Sequence, residues 1–159
     1  DSDWIYIKST IEHFYIVDNS HVKLNHQYMD GKGNYKNIKS KINKEIDKYS
    51  KASDNNKTYV IYCFDCDEYD INQKEKNFLE EAKIYCEKNS YDFVWFCKDI
   101  EQVYLGERID DSEKKSRAVA FMKKDAIKHI DTRTLNQKQY KTGTSNLMTI
   151  LDNYLDRKE

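Results

Sequence analysis

Two aspartates, Asp65 and Asp67, come directly after an apolar run, Tyr59-Val60-Ile61-Tyr62-Cys63-Phe64. In extended chain, positions two apart share a face, so both carboxylates point one way with Cys66 opposite. Two close carboxylates repel each other, and a divalent cation bound through oxygen is the usual compensation. A second apolar run, Tyr91 to Cys97, discharges into Lys98-Asp99-Ile100-Glu101, so acids follow two core strands in the same way. Acids at the carboxyl ends of buried strands lie where open α/β sheets place their ligand sites. A solvated acidic turn closing a core strand is the competing explanation for Asp65-Cys66-Asp67-Glu68.

The elements that must position these acids are legible from periodicity. Apolar spacing between Trp4 and Phe14 predicts an opening helix. Alternation from His21 to Met29 (Val22, Leu24, His26, Tyr28) predicts a strand ending at Asp30-Gly31. Tyr35, Ile38, Ile42, Ile46 and Tyr49 mark one face of a helix over residues 35–50. The strand at residues 59–65 follows, then a helix over 72–89 and the strand at 91–97. A short helix over 101–107, a longer one over 112–130 and a last one from Ser145 complete the order. Alternating strands and helices call for an α/β fold with a mainly parallel sheet and flanking helices. The expected organisation is a core over residues 1–107 with a C-terminal helical extension, residues 108–159, packed on it.

Composition narrows the partners. The chain has 159 residues and a net charge of −1, so any polyanion-binding surface is local rather than global. Nucleic acid binding by this chain alone is therefore expected to be weak, leaving room for a protein partner or a second copy. Lysine far outnumbers arginine, and Tyr, Asn and Ile are abundant, a bias that an A/T-rich coding sequence also produces. No apolar run reaches the length of a membrane-spanning helix, and no signal peptide is read, so a cytoplasmic protein without a membrane partner is expected. Of the four cysteines, Cys63 and Cys66 have zinc-knuckle spacing, but no second pair follows and strand geometry turns them apart. They are expected to be reduced and to pack as small hydrophobes.

The order helix, strand, helix, strand ending Asp65-Cys66-Asp67, helix, strand resembles a toprim fold that lacks its first strand. In that family a first strand ends in a Glu-Gly pair followed by Ser-Asp, and Asp1-Ser2-Asp3 resembles the tail of that motif. The Glu-Gly pair itself would fall ahead of Asp1. Asp99 and Glu101, with Val103-Tyr104-Leu105, resemble the SNPxFExWLL region of the RloB-like branch, although the Ser-Asn-Pro is not kept here. That branch is linked to restriction loci and phage defence and stands beside the OLD-type nucleases.

The resemblance covers roughly residues 1–107 and implies a Mg2+-dependent (or Mn2+-dependent) nuclease acting on DNA or RNA. It implies Asp65, Asp67 and Glu68 as metal ligands, and Asp65, Asp67 and Glu101 as the catalytic set. Lys32 and Lys98 are candidate phosphate contacts and His26 a candidate proton-transfer group, against solvated lysines and a structural histidine. Asp30 could reach the same crevice. Two rivals use the same residues. A haloacid-dehalogenase-like phosphatase would employ Asp65 as nucleophile and Asp67 as general acid. A toprim-fold binding or regulatory domain would need neither.

Overall fold

The computed structural model describes residues 2–159 and has an α/β architecture. Asp1, and with it the first residue of the Asp1-Ser2-Asp3 motif, lies outside the described residues. The two apolar runs form strands β1 (Ile61–Asp65) and β2 (Asp92–Cys97), connected by helix α3 (Gln73–Lys88). They pair in parallel, with Ile61 opposite Asp92 and Asp65 opposite Phe96. Both carboxyl ends therefore emerge on the same edge.

The sheet is smaller than expected, and it is mixed rather than mainly parallel. A short strand, β3 (Thr144–Ser145), lies antiparallel to β2 in the order β1-β2-β3. The Asn146 side chain then takes over the ladder, donating to the Phe93 carbonyl and accepting from the Trp95 N–H, both at 2.9 Å. A side-chain amide carries both a donor and an acceptor, so it can stand in for a residue of backbone.

Among the described residues six α-helices surround the sheet: α1 (Ser2–Phe14), α2 (Lys39–Ala52), α3, α4 (Ile100–Leu105), α5 (Lys114–Lys123) and α6 (Leu147–Leu151). Strand alternation sorts the core into two layers. On one face Val94 and Phe96 meet Tyr6, Ile11, Tyr104, Phe121, Leu147 and Met148. On the other, Tyr62, Phe64 and Trp95 meet Ile42 of α2 and Leu79, Ala82 and Cys86 of α3. Residues beyond 107 thus share a core layer with α1 and β2, and Tyr15 Oη ties α1's end to Asp152 at 2.8 Å.

Two expected elements differ. His21 to Met29 forms no strand. It passes as irregular chain between α1 and α2, with His26 stacked on Trp4 at 4.6 Å and Asn25 donating to Glu45 at 3.0 Å. Alternation supplies two faces, but a strand also needs a neighbouring backbone, and among the described residues β1 pairs only with β2. The long helix over 112–130 stops at Lys123, where Asp125 turns left-handed (φ 51°) into a 3₁₀ turn over Ala126–His129.

All four cysteines are free thiols. Burial pushes Cys63 and Cys86 up to about 12, which keeps both as protonated, unreactive hydrophobes. Among the described residues no helix is long and apolar enough to cross a membrane.

Candidate functional site

The carboxyl ends of β1 and β2 are held together beyond the strands themselves. Cys66 N–H donates to the Phe96 carbonyl at 2.9 Å, and Asp67 N–H to the Lys98 carbonyl at 2.7 Å. β1 nevertheless ends at Asp65, and Asp67 adopts a left-handed conformation (φ 48°). The two-residue alternation that would align Asp65 with Asp67 therefore breaks between them. The acids after β1 divide into two groups with opposite electrostatic character.

The outer group is neutralised. Lys32 bonds the Asp67 carboxylate and reaches Glu75 of α3 at 2.6 Å. Lys98 lies 3.1 Å from Glu68 and 3.5 Å from Asp70. The two lysines expected to meet a phosphate and two of the acids expected to meet a cation thus satisfy each other. His26 is exposed, packed between Trp4 and Tyr28, and Asp30 is an exposed loop residue with φ 57°.

The inner group is not neutralised. Asp65 turns to the start of α4, where its Oδ1 accepts the Ile100 N–H at 3.0 Å. Asp99 caps the same helix, accepting from the Gln102 N–H at 2.9 Å. A helix start offers partial positive charge and unpaired N–H groups, which is why two carboxylates gather there. One residue further, Glu101 points inward and is 1% exposed. Its Oε1 sits 3.1 Å from the Lys114 ammonium, which Asp111 shares at 3.1 Å. Its Oε2 is buried with no hydrogen-bond partner. The first turn of α1 adds Asp3.

Burial and mutual charge raise these carboxyls above their ordinary values. The Asp65 carboxyl is raised well above its ordinary value, first by burial and then by the charges of Asp3, Glu101 and Asp99, with Asp67 contributing least. Asp3 is raised to about 6 by loss of water around its carboxyl and by Glu101, against the pull of Lys114. The residue as a whole is exposed. Glu101 is raised by burial, with Lys114 opposing. Four carboxylates therefore act on one another, and Lys114 pairs directly with one of them, Glu101.

Unbalanced negative charge on partly buried carboxylates, with oxygen the only donor, suits a hard divalent cation. Among the described residues no three His, Cys, Asp or Glu side chains form a ready-made metal cage. The buried Oε2 of Glu101 is nevertheless an acceptor without a donor, and a cation would supply that missing positive partner. Asp65 and Glu101 are the residues a cation would have to recruit, with Asp3 and Asp99 acting on them through charge.

Sequence reasoning named Asp65, Asp99 and Glu101 and linked Asp3 to them through the Asp1-Ser2-Asp3 motif. It passed over Lys114. A lysine in the first turn of a helix opposes the helix dipole, and that misplacement was a readable sign of an acidic partner. Comparisons with family models, with curated proteins and with solved structures returned no match.

Proposed function

We propose that this chain is a divalent-cation-dependent nuclease domain of the toprim type, cutting phosphodiester bonds in DNA or RNA. The observation that carries this reading is the inner carboxylate group, Asp65 at the end of β1 and Asp99 and Glu101 just after β2, with Asp3 acting on it through charge and one buried oxygen unpartnered. Mg2+ or Mn2+, when bound, would neutralise phosphate charge and activate a water. Asp65, at the end of β1, and Glu101, on α4, would hold it, with Asp3 and Asp99 sustaining the negative field. Asp67 and Glu68, engaged by Lys32 and Lys98, would shape the rim of the crevice instead of ligating. The link to phage defence, and to the RloB-like branch, rests on the resemblance around Asp99 to Leu105.

The pairing of Asp67 with Lys32 bears on the rivals. A phosphatase mechanism needs Asp67 free beside Asp65, and it is not. A binding or regulatory domain is favoured by the same neutralised rim, since the lysines there are not available to a phosphate backbone.

The test is cleavage of plasmid DNA and of structured RNA with Mg2+ or Mn2+ against a chelator control. Asp65→Asn and Glu101→Gln should each lower activity by about 100-fold or more, consistent with loss of a group that stabilises transition-state charge. Asp67→Asn should lose far less. Nucleic acid binding without turnover, unchanged in Asp65→Asn, would instead establish the binding domain.

A further inference from the structure

Among the described residues Lys114 is the ammonium that pairs with an inner carboxylate, and its position is unusual in three respects. It opens α5, where the helix dipole disfavours a cation. It reaches a glutamate that is 1% exposed, yet it satisfies only one of the two oxygens. Its other partner, Asp111, is almost fully exposed, so that contact contributes little and leaves the ammonium free to move outward.

We propose that Lys114 is a built-in counter-ion for Glu101, a tethered stand-in with which a divalent cation must compete for the crevice. This rests on the cation-binding reading above and adds how that site is kept intact while empty. Glu101 is too deeply placed to stay ionised without a positive neighbour. Lys114 supplies that neighbour while the buried Oε2 keeps an unused acceptor site for an incoming ion. A cation arriving there meets the repulsion of the ammonium a few ångströms away, and the ammonium can yield by swinging back to Asp111. Lys114 is therefore a positioning residue: it fixes the glutamate, and it sets the threshold at which a divalent ion binds.

The experiment measures Mn2+ binding by titration calorimetry, and thermal stability in chelator and in excess Mn2+. The proteins are the full chain and its Lys114→Met, Lys114→Gln and Lys114→Arg variants. Removing the charge should tighten Mn2+ binding roughly tenfold, given the strength of charge repulsion at a half-buried site. In chelator Lys114→Met should melt lower than wild type, and Mn2+ should raise its melting temperature by more than it raises that of wild type. Lys114→Arg, which keeps the charge, should bind Mn2+ as wild type does. Lys114→Gln, whose amide still donates to Glu101, covers the case in which the methionine variant does not fold.

Equal Mn2+ affinity in wild type, Lys114→Gln and Lys114→Met overturns the competition while leaving the cation site standing. Weaker binding in the neutral variants also overturns it and would make Lys114 a pure organiser of the ligands. If Mn2+ binds to none of the proteins, wild type included, the cation-binding reading fails and this inference fails with it.

Discussion

Asp65 has to serve two demands that conflict. Its Oδ1 accepts the Ile100 N–H, which favours the charged form. Burial and the neighbouring Asp3, Glu101 and Asp99 favour the neutral one, and they win, since the carboxyl is raised well above its ordinary value. A carboxyl raised by folding binds its proton more tightly in the native state, so the native state gains stability as protons are added. That gain is full below the ordinary value of 3.8 and is lost as the pH rises through the folded value, about 6 for Asp3 and well above the ordinary value for Asp65. Without divalent ions, the acid group should therefore weaken the protein at neutral pH. Asp65→Asn keeps the acceptor for Ile100 and removes the charge. In chelator it should be more stable than wild type near pH 7, with the advantage shrinking near pH 5. Urea unfolding at the two pH values tests this, and an advantage of equal size at both would refute it.

At the scale of elements, the segments read best from sequence were those whose periodicity is buried on one side. Helices α1 and α3 and strands β1 and β2 start and stop within two residues of expectation, because Tyr6 and Ile11, Leu79 and Ala82, and the alternation of β2 all face a core layer. Three features were not legible. The His21–Met29 alternation predicted a strand, but periodicity does not report whether a second backbone lies alongside. β3 is two residues long and relies on the Asn146 side chain, which no strand pattern contains. The split of Asp65 from Asp67 turns on one left-handed residue, and only a glycine or asparagine there would have signalled it. Once the strand had ended, Lys32 could draw the turn at residues 32–34, the Asp67 loop and the first turn of α3 together. These side chains are 27–43% exposed, so the pairs contribute about 1 kcal/mol or less to global stability. Their effect should instead be local. Lys32→Met should speed amide exchange at residues 66–72 while shifting the urea midpoint little. An unchanged exchange rate there would mean that the backbone bonds of Cys66 and Asp67 to the β2 end hold the loop by themselves.

Over the whole molecule, the sheet is too small to close a core without the tail. Three strands, one of them two residues long, expose two faces, and the layer that carries the inner carboxylates is completed from beyond residue 107. Phe121 of α5 packs edge-on against Tyr6 and Tyr104, Leu147 and Met148 of α6 are 0–1% exposed, and Tyr15 reaches across to Asp152. Residues 1–107 and the extension, drawn as separate segments from the sequence, thus share one hydrophobic layer, and Lys114 crosses the same boundary to reach Glu101. Cutting the chain after residue 107 would uncover that layer, remove the antiparallel neighbour of β2 and leave Glu101 without its cation. Each buried Phe or Leu lost from such a layer costs about 2–5 kcal/mol, against total stabilities of roughly 5–15 kcal/mol for whole domains. A fragment ending at residue 107 should accordingly lack a cooperative thermal transition, lose near-ultraviolet circular dichroism and bind a dye for exposed apolar surface. A sharp transition from that fragment would show instead that α1, β1, β2 and α3 form a self-sufficient unit, with the extension as an added layer.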